Sequence, residues 1–247
     1  MSIRRFFAFF VFVPAFLAPS AAPAGPTWSI NSDAKGGVGQ LVNLSWKFDG
    51  NPETGLAGTL TTKLPSGRAV DTYCVDLHDT TYVGNGGSTW SAEVLPISSF
   101  QDQPDGAHWG AIGYLYKRFA PTIADRIKGA ALQISLWKVE YDGNASLDSG
   151  NFQFADSTDL DSDQHRVYEQ VTTYLAGFKG TESDPSATLF RAVAHPNGLY
   201  QDLVGPADSS GPDVVNAVPE PASMGMVACG LGAVLIARRR RAAARAD

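Results

Sequence analysis

Cysteine is scarce in this chain. Of its 247 residues only Cys74 and Cys229 are cysteine, and they stand far apart. So small a stock excludes a disulfide-stapled scaffold, so packed apolar surface has to hold the fold. Histidine is equally sparse, and His78, His108, His165 and His195 lack the tight pairing that zinc requires. There is no G-x-S-x-G elbow, no Gly-rich phosphate loop and no internal repeat. Positive charge is also missing from the middle of the chain. Of the 19 basic residues two lie in the first 24 and five beyond 217, leaving 12 against 23 acidic ones, a net −11. Such a balance excludes nucleic acid as a partner, because neutralising phosphates needs clustered Lys and Arg.

What the middle lacks, the ends possess. Arg4 and Arg5, the apolar run "FFAFFVFVPAFLA" and the small residues Ala22 to Ala24 have the order a signal peptidase reads, so residues 1–24 are expected to be a signal peptide. At the other end, Pro219, Glu220 and Pro221 precede an uncharged stretch, 222–237, and then Arg238, Arg239, Arg240 and Arg241. Sixteen helical residues cover roughly 24 Å, short of the ~30 Å hydrocarbon core, a gap that snorkelling arginines and local thinning can close. The arginines mark a cytoplasmic end. This tail resembles the PEP-CTERM sorting signal. The resemblance implies a short transmembrane helix in residues 218–247, transient anchoring in the inner membrane of a Gram-negative bacterium, processing by an exosortase, and delivery to the cell surface or extracellular matrix. Residues 25–217 remain as the exported domain, a length that suits one core.

Within that domain the first part reads as β. In "LVNLSWKF" the residues Val42, Leu44, Trp46 and Phe48 share a face, "DGNPETG" is turn chemistry, and "LAGTLTTKL" is the returning strand. "RAVDTYCVDLH" places Tyr73, Val75 and Leu77 on one face and Thr72, Cys74, Asp76 and His78 on the other; "VGNGGSTW" reads as a loop. Three helical patterns follow. Trp109, Ile112, Tyr116 and Phe119 form the first, stopped by Pro121; Ile123, Ile127, Ala130, Ile134 and Tyr141 the second, capped by Gly143. Val167, Val171, Tyr174 and Phe178 form the third, with Gly180 as its stop, and "ATLFRAVAHPNGLYQDLVG" reads as two strands about a Pro-Asn-Gly turn. The expected fold is α+β, a sandwich-like or barrel-like β lobe with a helical insert of about three helices near residues 105–180.

Two groups of residues invite chemistry. Asp159, Asp161 and Asp163 open like an EF-hand loop, but Gln164 stands where the turn needs Gly and Gln170 where the bidentate Glu belongs. Asp161, Ser162 or Asp163 is expected instead to cap the following helix. Gln133 differs: it shares a helix face with Gly129, Ala130 and Trp137, so small residues leave room for a close backbone while an indole excludes water. A strand carrying Cys74 can pack there, and its thiolate can displace ammonia from the Gln133 carboxamide to give an internal thioester, provided the site is dry. Without that bond, Cys74 is a buried thiol behaving as a small hydrophobe.

"TYCVDL" and "LQISLW" resemble the two motifs of bacterial thioester domains, an aromatic-Cys pair on a β element and an apolar-Gln-x-Ala-apolar-Trp run on a helix. Tyr73 and Cys74 match the first; Leu132, Gln133, Leu136 and Trp137 match the second, with Ser135 in place of Ala. The resemblance implies a Cys74–Gln133 thioester shielded by Tyr73 and Trp137, and adhesin-like covalent attachment to amine-bearing surface or matrix targets. That is single-turnover binding, not enzymatic catalysis, and it needs no cofactor. His78, on the face of Cys74 in a regular strand, stands either as a base for the thiol or the amine or as a solvent-facing strand end. A non-covalent structural or carbohydrate-binding matrix protein and a secreted cysteine hydrolase are the competing readings.

Overall fold

The structure, a computed structural model, describes residues 27–35, 40–78, 88–100, 108–193 and 201–207. The expected signal peptide, the Pro-Asn-Gly turn and the sorting tail with Pro219 to Pro221 and Arg238 to Arg241 lie outside them. Among the described residues no helix is long and apolar enough to cross a membrane.

Six antiparallel strands close into a barrel in the order β1 (Thr27–Ala34), β4 (Leu60–Lys63), β5 (Ala69–Cys74), β9 (Leu203–Gly205), β8 (Thr188–Ala192) and β6 (Ser88–Pro96). Period-two burial turns Ile30, Ser32 and Ala34 inward from β1, and Trp90, Ala92 and Val94 from β6. The interior is not wholly apolar. Ser32, Thr62 and Thr72 are fully buried, and their hydroxyls join in a chain with both O···O distances at 2.8 Å. Each hydroxyl thereby meets the partner that burial demands.

Outside the barrel a three-stranded sheet has the order β3-β2-β7, from β2 (Val42–Phe48), β3 (Asn51–Ala57) and β7 (Phe152–Gln153). The expected long turn is instead two residues. Asp49 and Gly50 take φ of 50° and 79°, and Phe48 pairs at once with Asn51. Asp-Gly is the type I′ signal, and it leaves "NPETG" free to run as an edge strand, where Pro52 is tolerated. The segment "LTTK" belongs to the barrel as β4 and does not return along β2. Ser88, Thr89 and Trp90, expected as loop, begin β6; the Gly-rich lead before them masked an alternating pattern.

Three helices pack against both sheets: α1 (Trp109–Phe119), α2 (Arg126–Asp142) and α3 (Asp163–Leu175). Their apolar faces are those the periodicity indicates, with one difference. Every residue of α2 from 129 to 140 is buried, because the helix lies between α1, α3 and the sheets. A helix enclosed on all sides shows no amphipathic stripe. Asp125 caps its start by accepting from Lys128 N at 2.9 Å, and Gly143 ends it at φ 61°. Ser162 caps α3, which ends at Leu175 with Gly177 in the left-handed region, before Gly180.

The enclosure of α2 includes a charge. Lys138 Nζ is buried, and donates to Asp142 Oδ2 at 2.7 Å, Ser149 O at 2.5 Å and Phe152 O at 3.0 Å. All three donors are used. Asp142 in turn accepts from Asn151 N at 2.6 Å and Phe152 N at 3.0 Å, so the pair ties the end of α2 to β7. Lys138→Ala leaves that carboxylate buried and is expected to lower unfolding free energy by about 3–5 kcal/mol, read by urea denaturation. At the surface, Lys117 donates to Asp184 at 2.7 Å and, with Ser186, holds the Asp184 carboxyl down to about 2. A depressed acid stabilises the fold above the ordinary Asp range near ~3.9 and loses that contribution as pH falls through the folded value. Lys117→Ala is therefore expected to move the onset of acid unfolding to higher pH, measured by circular dichroism.

Candidate functional site

Strand β5 outlasts one of its neighbours. β4 begins at Leu60, opposite Thr72, so the ladder on that edge stops two residues short of Cys74. On the other edge Cys74 lies opposite Leu203, and Val75 N donates to Asp202 O at 2.9 Å. Strand alternation then turns the Cys74 N–H and C=O toward the edge that β4 has left. There the Gln133 side chain completes the pairing: Oε1 accepts from Cys74 N at 2.9 Å, and Nε2 donates to Cys74 O. A carboxamide has the donor and acceptor arrangement of a peptide group, so it can stand in for a strand. Its orientation is fixed by the pairing, since the reversed amide would set two donors and two acceptors against each other. The Gln133 carbonyl carbon is thus held on the main chain of the residue that carries the thiol. Both side chains are out of water, Gln133 1% and Cys74 8% exposed. Cys74 carries no disulfide.

The approach of α2 depends on Gly129. A Cβ there would stand 2.7 Å from Thr59 Oγ1 and 3.4 Å from Thr59 N. The bare glycine lets the helix settle on residue 59, and one turn later Gln133 meets Cys74. Ala130, the other small residue, is wholly buried. Thr59 Oγ1 is also 2.8 Å from Tyr73 OH. Burial pushes the Tyr73 phenol far above its ordinary range, against the opposing effect of that hydrogen bond. It stays protonated at neutral pH and serves as a bonded wedge beside Tyr116, their rings 6.1 Å apart. Two further side chains stitch the same segment to the helices: Tyr116 OH donates to Asp71 O at 2.9 Å, and Leu77 N donates to Tyr141 OH at 2.8 Å. Main-chain groups at 71, 74 and 77 are each tied to a helix.

Cys74 and Gln133 open onto a cavity of about 300 Å³ whose walls include Trp137, Trp46, Leu60 and Leu77. The two indoles lie 5.2 Å apart. Trp137 thus lines this cavity, and Trp46, which the sequence shows only as one of the residues sharing a face of β2, joins it. Tyr73 lies beneath Cys74 on the helix side and does not line this cavity.

His78 is elsewhere. Regular β structure ends at Cys74, so the alternation that put His78 on the thiol's face does not continue. Its N–H donates to Asp76 Oδ1 at 2.7 Å in an Asx turn, and its ring packs on Phe48 and Tyr141 at 5.0 and 5.9 Å. It borders a separate cavity of about 460 Å³. The acidic run is engaged in local structure: Asp163 pairs with Arg126 at 2.6 Å and with Arg166, and Asp156 meets His165 at 2.8 Å.

One arrangement gave no signal in the sequence. Gln164, on α3, treats Ser45 of β2 as Gln133 treats Cys74. Its Oε1 accepts from Ser45 N at 3.1 Å, and its Nε2 donates to Ser45 O at 2.9 Å and Ala155 O at 2.9 Å.

No protein-family model matches the chain, and no curated protein matches it. Two solved structures from Streptococcus pyogenes are similar to it. The N-terminal thioester domain of the fibronectin-binding protein SfbI is 14% identical with a TM-score of 0.41, over 78% of this chain and 98% of that one. The N-terminal domain of the pilus tip adhesin Cpa is also 14% identical with a TM-score of 0.41, over 76% of this chain and 95% of that one.

The helix contact supplies a test of how the pair is held. Gly129→Ala forces a Cβ against Thr59 and is expected to destabilise the protein by about 1–3 kcal/mol, as overpacking does. It should also raise the rate of Cys74 alkylation in the folded protein by loosening the Gln133 clamp.

Proposed function

We propose that this is an exported thioester protein, in which Cys74 and Gln133 form an internal acyl bond for one covalent attachment to an amine. The observation that carries the reading is the Gln133 carboxamide paired with the main chain of Cys74, out of water and at the wall of a cavity. In the forming step the Cys74 thiolate attacks the Gln133 carbonyl carbon. The oxygen of the tetrahedral intermediate is Oε1, which already accepts from Cys74 N–H, and a preorganised donor at that atom lowers the barrier. The thiol proton passes to Nε2, the C–N bond breaks, and ammonia leaves. In the second step a neutral primary amine attacks the same carbon, the C–S bond breaks, and the amine proton returns to the thiolate. The product is an amide on residue 133 with Cys74 restored as a thiol. Nothing regenerates the acyl bond, so this is binding and not turnover.

The target class is an amine-bearing surface or matrix molecule. The signal peptide at 1–24 and the tail at 218–247 complete the proposal, with signal peptidase and an exosortase-type enzyme as processing partners and the surface of a Gram-negative cell as destination. Tyr73 and Gly129 support the pair, and Trp137 walls it.

A second reading has its own observation. Gln164 holds Ser45 through the same two hydrogen bonds with no thiol present, so a glutamine clamp can be purely structural. On that reading Gln133 only completes the edge of β5, and the protein is a non-covalent matrix component. Intact mass decides. The thioester protein is expected to weigh one ammonia less than its processed sequence, to resist alkylation at Cys74, and to gain methylamine at Gln133 and not at Gln164. Cys74→Ala should restore the full mass. A wild-type mass equal to the processed sequence, with Cys74 readily alkylated in folded protein, refutes the acyl bond and leaves the structural clamp.

A further inference from the structure

We infer that Trp46 is the gate of the cavity at Cys74 and Gln133, and that it sets which nucleophiles reach the pair. The inference rests on the proposed acyl chemistry and names a residue that chemistry does not itself require.

The cavity wall includes Gly55. Its φ is not in the left-handed region, so the position has no need of glycine's backbone freedom. It lies within β3, where glycine weakens a strand and commonly marks a close approach. The approaching group is Trp46: a Cβ on Gly55 would stand 2.8 Å from Cη2 of the indole and 3.6 and 3.7 Å from Cζ2 and Cζ3. Leu44 is opposite Gly55 and Trp46 opposite Glu53, so the indole leans diagonally across the hairpin. It thereby brings its ring to 5.2 Å from Trp137 at the cavity wall. Glycine at this place is explained by the indole lying over it.

The ring is held by packing alone. Its Nε1 is buried with no hydrogen-bond acceptor among the described residues. Swinging it away breaks contacts but no hydrogen bond. Its main chain, by contrast, is fixed: the preceding residue, Ser45, is clamped by Gln164, and Trp46 is paired in register with β3. A fixed backbone with an unbonded, half-buried side chain over a bare Cα is a hinge at χ1. Closed against Trp137, it keeps water from the acyl carbon; rotated, it admits a slender primary amine and refuses a branched one.

Trp46→Ala, Trp46→Phe and Gly55→Ala are compared with the wild type, each checked for folding by circular dichroism. Three rates are read by intact mass: hydrolysis of the acyl bond to a carboxylate on residue 133 with release of the thiol, reaction with methylamine, and reaction with tert-butylamine. Trp46→Ala is expected to hydrolyse severalfold faster and to gain more toward tert-butylamine than toward methylamine. Gly55→Ala, on the edge strand, should move in the same direction by wedging the indole off its seat. Trp46→Phe should return toward the wild type. Unchanged hydrolysis and unchanged amine selectivity in folded Trp46→Ala overturn the gate while leaving the thioester standing. A wild type of full mass overturns the thioester instead, and the gate is then read at Cys74 itself. Trp46→Ala should accelerate alkylation by a bulky N-aryl maleimide more than by iodoacetamide, and equal acceleration, or none, refutes it.

Discussion

The pairing of one side-chain amide with one strand residue organises this molecule. For Gln133 to reach the main chain of Cys74, α2 has to lie against the end of the barrel, which requires a bare Cα at Gly129 and a short side chain at Thr59. A helix set that deep is covered by α1, α3 and the outer sheet, so its residues are buried all round. Burial of Lys138 then demands the full set of acceptors that Asp142, Ser149 and Phe152 supply to it. The ties at Asp71, Cys74 and Leu77 follow the same line of contact, so the segment that carries the thiol is bonded to helices along its length.

The two glutamine clamps share one geometry in two different surroundings. At Ser45 and at Cys74 an amide takes the place of a missing strand, with the same two hydrogen bonds. The differences lie in what surrounds them. At Ser45 the strand residue is exposed and carries a hydroxyl; at Cys74 it is buried, carries a thiol and adjoins a cavity with two indoles in its wall. A thiolate is the stronger nucleophile, and exclusion of water preserves an acyl bond that would otherwise hydrolyse. The acyl chemistry proposed for the second site thus rests on one atom type and on dryness.

Much of this arrangement was legible in the chain. Gln133 with Gly129, Ala130 and Trp137 at helical spacing gave the face that meets β5, because periodicity records which residues share a side. The Gly143 end of α2 was marked by capping chemistry, whereas its start after Asp125 was not, because Ile123 continues the apolar spacing ahead of the helix. Other features were hidden for physical reasons. His78 was set on the thiol's face because alternation presumes a regular strand, but β5 ends at Cys74 and the Asp76 side chain takes up the His78 N–H. The hairpin was read too long because Pro52 and the polar run disguised an edge strand behind a two-residue turn. Trp46 and Gln164 gave no local signal, since their partners, Gly55 on the diagonal and Ser45 at 119 residues' distance, exist only once the register is set.

The hydroxyl chain inside the barrel has a consequence for timing. Ser32, Thr62 and Thr72 can satisfy one another only if β1, β4 and β5 pair in one register, because a slip of one residue turns each hydroxyl to the opposite face. Cys74 lies two positions beyond Thr72, so the same lock indexes the thiol against Gln133, which is 59 residues away in sequence. Slipped or half-assembled chains carry both groups but cannot bring them together. For the proposed acyl bond, competence at residue 74 would therefore certify a finished barrel: a misfolded copy is disarmed by the same contacts that fail to stabilise it.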